Sequence, residues 1–171
     1  MACGTFAIMD TRAPLESEID PLAGLWRASW HDGHAGLLPT AIVRQRTLED
    51  FTGRLRADLA NVRVVGPSGA PSGLCIVRDD ELDQLFVSAS ARGTGVAAAL
   101  LADAEARIAA NGAPTAWLAC AIGNDRAARF YEKHGWHRMG TAVKQVQTDE
   151  GEIGFDVWRY EKDVGDAGGH A

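Results

Sequence analysis

Long apolar runs are missing from this sequence. No stretch would cross a bilayer, so no membrane span and no membrane partner is expected. Cysteine is scarce: Cys3, Cys75 and Cys120 are an odd number with no CxxC spacing. That argues against a disulfide framework or a zinc site and fits a reducing cytoplasm. A basic excess is missing too. The formal net charge is −6, whereas a nucleic-acid binder wants a basic face, so nucleic acid is not an expected partner. Residues 1–20 carry acids and lack a basic region followed by an apolar block, so no secretory signal is expected there. No internal repeat is visible.

What is present suits one globular core: 171 residues, 46% of them hydrophobic. Two full domains would be a squeeze. A single domain over 1–162 is expected, with 163–171, "DVGDAGGHA", as a disordered tail. "FAIMDTR" (6–12) reads as a short first strand. Asp20 and Pro21 suit the cap and first position of a helix whose Leu22, Leu25, Trp26, Ser29 and Trp30 share a face. "HDGHAGLLP" (31–39) reads as a loop, and Thr47 with Asp50 as a capping box before a second helix. "NVRVVG" (61–66), "SGLCIVRD" (72–79) and "ELDQLFVS" (81–88) read as antiparallel strands. Val96, Leu100, Ala104 and Ile108 mark a helix that Asn111-Gly112 ends. "TAWLACAI" (115–122) reads as a buried strand, Asn124 as the cap of a helix that Gly135 stops, and two alternating segments as a closing antiparallel pair. The fold class expected is α/β with a mixed sheet, in which 81–88, a helix and 115–122 make one parallel crossover.

The glycines in "LFVSASARGTGVAAALL" are the chemical signal. Two glycines between strand and helix can be a tight turn and nothing more. A triphosphate loop needs GxxxxGK[ST], and no lysine is near. Gly93, Gly95 and Ala98 match the dinucleotide fingerprint literally, but five residues separate the first glycine from its strand. No acid ends the next strand to hold a ribose. The remaining reading uses Arg92, Gly93, Thr94, Gly95, Val96 and Ala97 as a pyrophosphate cradle: backbone amides at a helix start, glycines that allow close approach, and one cation.

Here the chain resembles the GNAT superfamily of N-acetyltransferases. Arg92, Gly95 and Ala97 fill its acyl-CoA motif (Q/R)xxGx(G/A). "NDRAARFYEKHGW" (124–136) resembles its later motif, and "LWRASW" its first helix. The resemblance implies the GNAT acyl-CoA N-acyltransferase fold: a mostly antiparallel sheet with one splayed parallel pair, flanked by helices. It implies acetyl-CoA as co-substrate, with no metal. It implies pantetheine contacts at Leu85, Phe86 and Val87, the pyrophosphate on residues 92–97, and Asn124 at the pantetheine or capping its helix. The implied function is direct acetyl transfer to a primary amine of a small molecule or peptide. The alternative is a catalytically silent acyl-CoA-binding module. A homodimer is among the partners the family suggests.

For the reaction, a backbone N–H near Val87 would meet the oxyanion, and Tyr131 is the family's expected acid, set against simple packing beside Phe130. Glu81, Asp83, Leu85 and Val87 share a strand face by period two, so Asp83 or Glu81 is a base candidate, set against plain solvent exposure. His31 and His34 are further candidates. Trp30 and His31 fall where the family builds its acceptor pocket, with Trp26 read as core. Aromatic walls plus acids would suit a small cation. The HxxH pairs, His31/His34 and His134/His137, lack a third ligand at matching spacing.

Overall fold

The computed structural model describes residues 9–165. Helices α1 (Ile19–His34), α2 (Thr40–Gln45) and α3 (Leu48–Asp58) come first. Strands β1 (Val62–Val65), β2 (Gly73–Arg78) and β3 (Glu81–Val87) follow, then α4 (Val96–Ala110), β4 (Thr115–Ala121), α5 (Asp125–Lys133), β5 (His137–Thr148) and β6 (Gly151–Asp163). The six strands form one sheet in the order β1-β2-β3-β4-β6-β5, antiparallel except for β3 beside β4.

Each face of the sheet carries its own core. Alternation along β2 sends Leu74 and Ile76 toward α1 and α3, and Cys75 and Val77 toward α4. On the first face Leu22, Trp26, Phe51 and Leu55 pack from the helices. On the second, α4 contributes Val96, Leu100, Leu101, Ala104 and Ile108. Burying each large aliphatic there stabilises by roughly 1.5–3 kcal/mol. Trp26 is core, as its spacing suggested.

The structure departs from the sequence expectations in several places. Residues 6–8 of the expected first strand lie outside the described residues, and the rest supplies one antiparallel bridge, Arg12 to Val64. The first helix starts at Ile19 after a short 3-10 turn, so Asp20 and Pro21 lie inside its first turn rather than at its cap. It also runs on to His34, and α2 follows from Thr40, so the first four residues of the expected 31–39 loop are helical and the loop shrinks to 35–39. Its histidines tie it back: His34 Nδ1 meets the Trp30 carbonyl at 2.8 Å, and the Trp30 and His34 rings stack at 4.9 Å. Thr47 caps α3 by accepting from the Asp50 amide, but the Asp50 carboxylate turns to Arg46 instead of closing a box. At the other end β6 covers Asp163, and Val164 and Gly165 both donate to the Pro114 carbonyl; the rest of the expected tail lies outside the described residues.

Two features of β3 position the site. It pairs with β4 only at Glu81–Trp117, next to a bond from the Trp117 amide to the Asp80 carbonyl, so the strands diverge beyond that point. It also bulges: Gln84 faces Ile76 and Leu82 faces Val77, which leaves Asp83 as the extra residue. The bulge breaks the expected alternation. Leu82, Leu85 and Val87 face the α4 core, and Asp83 does not share their side.

Candidate functional site

Where β3 and β4 part, two cavities meet. One, of about 450 Å³, lies toward α4 and α5 and is lined by Val87, Arg92, Gly93, Gly95 and Ala97 among others. The other, of about 400 Å³, lies toward α1–α3 and is lined by Trp30, His34 and Asp83 among others. Leu85, Phe86, Asn124, Ala127 and Tyr131 belong to both walls.

The β3 edge in the gap offers backbone groups. The Ser88 amide donates to the Ser72 carbonyl at 2.9 Å, toward β2. Alternation then turns the Val87 and Leu85 amides the other way, into the gap. The Val87 carbonyl is taken by the Ser29 hydroxyl at 3.0 Å, which ties α1 to the same edge.

The glycine loop is built as an anion cradle, with a change of members. Gly93 (φ 76°) and Gly95 (φ 90°) both take left-handed backbone that a β-carbon would strain. The Arg92 amide donates to Ala89 and the Thr94 amide to Ala91, so those two are spent inside the turn. Gly93, Gly95, Val96, Ala97 and Ala98 have amides with no backbone partner among the described residues. The last three open a helix of 15 residues, where orphan donors and the helix dipole coincide. The Val96 side chain is buried in the core, so only its backbone is available.

The mouth of this cavity is charged. Arg92 and Arg126 converge on Asp32 at 2.6 and 3.2 Å, and they hold its carboxyl below the usual range. Asn124 caps α5 by accepting from the Ala127 amide at 3.3 Å.

Tyr131 stands at the junction. Its ring packs edge-on to Phe130 and Trp136, and its hydroxyl bonds to no described residue. Burial pushes the phenol well above its ordinary value, so it stays protonated. In the second cavity, burial lowers the His34 imidazole, and the Nδ1 contact to Trp30 leaves Nε2 as its free nitrogen. Asp83 is 3.6 Å from Arg78 Nε. Burial raises the Glu81 carboxyl, but Glu81 is outside both walls. His31 is outside them as well, its Nε2 2.7 Å from the Arg46 carbonyl.

The acceptor-side wall differs from the acidic one anticipated. Arg46, Arg54, Arg78 and Lys144 line it against the single carboxylate of Asp83. The sequence held a signal for Arg54: it sits three residues after Phe51, on the side of α3 that also buries Leu55. Among the described residues no group of three or more His, Cys, Asp or Glu is placed to hold a metal. No helix there is long and apolar enough to cross a membrane. Cys75 and Cys120 are buried free thiols.

Known proteins share this architecture. Residues 69–136 match the Acetyltransferase (GNAT) family. An uncharacterised N-acetyltransferase of Mycobacterium tuberculosis is 44% identical over 64 residues, which is 37% of this chain and 41% of that protein. The chain thus spans about two-fifths of the length of the curated relatives it matches. A GCN5-related N-acetyltransferase from Rhodopseudomonas palustris superposes with a TM-score of 0.70 at 20% identity, covering 92% of this chain and 96% of that one. The PaiA N-acetyltransferase from Thermoplasma acidophilum, solved in complex with coenzyme A, gives 0.63 at 18% identity, covering 90% and 98%.

Proposed function

We propose that this chain, which belongs to the GNAT superfamily, transfers acetyl from acetyl-CoA directly to a primary amine. The observation that carries the proposal is the meeting of a phosphate-sized cradle and a divergent strand edge at Tyr131. Coenzyme A bound to the PaiA neighbour supports the same cofactor here.

The residues fit that co-substrate. Amides of Gly93 and Gly95 to Ala98 would take its pyrophosphate, with Arg92 and Arg126 supplying charge. Leu85 and Val87 would offer β3 backbone to the amides of the pantetheine arm, in place of the missing β4 partner. Acetyl-CoA supplies a thioester carbonyl open to attack by an amine.

This chain's part is to move protons and hold charge. A typical alkylamine is protonated at neutral pH, with a pKa of about 10.4. The ammonium first gives one proton to solvent; as the neutral amine nitrogen bonds to the carbonyl carbon, His34 Nε2 takes a second N–H proton, the imidazole being neutral because burial lowers it. The Val87 amide faces the oxygen that gains charge. The C–S bond breaks with its electron pair on sulfur, and Tyr131 donates a hydrogen bond to it. The raised phenol makes Tyr131 a hydrogen-bond donor to a thiolate of pKa about 8.5 rather than a full proton source. The proton then reaches sulfur through solvent, giving an amide and the free thiol.

Calorimetry with acetyl-CoA followed by thiol release over an amine panel tests the proposal. Tyr131→Phe is expected to lower kcat by about 10- to 100-fold while cofactor affinity stays within about twofold. Unchanged turnover in that variant would remove Tyr131 from the chemistry. Binding without thiol release from any amine would replace the transferase with a silent acyl-CoA module.

A further inference from the structure

The acceptor-side cavity holds four cations, two of which pair with no carboxylate among the described residues. Arg46 is spent on Asp50 at 3.1 Å, and Arg78 on Asp58 and Asp83 at 2.6 and 3.6 Å. Arg54 and Lys144 have no carboxylate within 4.0 Å among the described residues. Two buried donors in the same wall, Arg54 Nη1 and Arg46 Nε, bond to no described group. An orphan buried donor is costly unless a ligand completes it, and more so when it is charged.

Arg54 is also held in place. Its guanidinium lies over the Trp26 ring at 4.5 Å and the Phe51 ring at 5.7 Å. Arg46 lies over Trp30 at 5.9 Å. Stacking fixes the plane of the fork and leaves its edge for a ligand. This concentration of positive charge sits inside a chain of net charge −6, so it is a local arrangement and not a reflection of composition.

We propose that the acceptor is a small amine that also carries an anionic oxyacid group, foremost the carboxylate of an amino acid, and that Arg54, with Lys144 and Arg46 Nε, receives that group. The proposal rests on the transferase reading and names its substrate class. The cavity of about 400 Å³ suits a molecule of amino-acid size. A polyamine or other multiply charged cation meets like charge on this wall.

The test compares matched acceptors at saturating acetyl-CoA: an amino acid, its carboxamide, the amine lacking the carboxyl, and the aminoalkylphosphonate of the same length. The amino acid is expected to exceed its carboxamide in kcat/KM by about 100-fold. The phosphonate arm separates a carboxylate site from a phosphoryl one, and a phosphonate preference would overturn the carboxylate assignment. Arg54→Gln is expected to erase most of the preference while the carboxamide rate moves less than about threefold. Lys144→Gln, on the rim strand β5, lowers the same preference without touching the α3 core. Equal losses for acid and carboxamide in both variants would make these cations structural. Turnover of plain amines or polyamines at least as fast as amino acids overturns the inference and leaves the transferase standing. Absence of acetyl-CoA binding overturns both.

Discussion

Glu18→Gln is the perturbation whose size the structure fixes best. The Glu18 side chain is fully buried (0% exposed) and accepts four hydrogen bonds: from Arg12 at 2.6 and 2.9 Å, from the Leu15 amide at 2.7 Å and from the Gly69 amide at 2.9 Å. The Arg12 guanidinium, with the two amides, holds its carboxyl down from 4.5 to about 2. At about 1.36 kcal/mol per pKa unit, that shift is worth about 3 kcal/mol at neutral pH. An independent route agrees: removing one partner of a buried ion pair costs about 3–5 kcal/mol. The low end applies because Arg12 is 27% exposed and regains water. The sign follows from the lowered value. The stabilisation is complete above about 4.5 and is lost as pH falls toward about 2. For a chain of this length, about 3 kcal/mol corresponds to a Tm lowered by about 6–12 °C. Circular-dichroism melts of both proteins from pH 7 to pH 2.5 provide the assay, and the gap between them is expected to close as acid is added. Equal Tm values at pH 7, or a gap that stays constant with pH, would refute the reasoning. Glu18 stands at the foot of α1, which carries Ser29, Trp30, Asp32 and His34 to the site.

Two further outcomes concern the site. Gly95→Ala puts a β-carbon on backbone at φ 90°, and is expected to cost about 1–2 kcal/mol in stability. It also weakens coenzyme A binding by at least about tenfold in calorimetry through displacement of the loop amides; wild-type affinity would show that the cradle lies elsewhere. His34→Gln is expected to lower kcat by about 100-fold and to remove the acid limb of the pH–rate profile. That limb lies below the ordinary histidine value because burial lowers His34, and an unchanged limb in the variant assigns the base to another group.

Much of this architecture is written in short-range pattern. The (Q/R)xxGx(G/A) run and the Asn124 cap are local devices, and local chemistry is what a sequence displays. The antiparallel run β1–β3, the single parallel pair and the closing hairpin β5–β6 follow from periodicity and turn residues, whereas the insertion of β6 between β4 and β5 does not. What escaped depends on contacts between distant segments. Residues 31–39 carry two glycines and a proline, yet α1 continues to His34, where ring stacking and the Trp30 carbonyl support its last turn. The extra residue at Asp83 is a property of the β2–β3 pair and leaves no mark on β3 alone. The cationic acceptor wall joins α2–α3 loop and helix residues to Arg78 and to Lys144, and such convergence exists only after folding.

The bulge and the splay act on one strand, and together they explain why a two-substrate site forms here. β3 keeps its β2 partner along its length, so its inner edge is fixed. Its outer edge loses β4 just past Glu81, which frees Leu85 and Val87 backbone for a linear arm. Without the bulge, Asp83 would share a face with Leu85 and Val87 and bring its carboxylate to the apolar α4 side. The extra residue leaves apolar side chains facing the cofactor cavity and sets Asp83 in the acceptor wall. Deleting Asp83 would therefore restore regular alternation in the existing register, with Leu82 still opposite Val77 and Gln84 still opposite Ile76. Leu82, 3% exposed in the α4 core, would stay there beside Leu85 and Val87, so the deletion would take the carboxylate out of the acceptor wall and leave the apolar pattern of β3 intact.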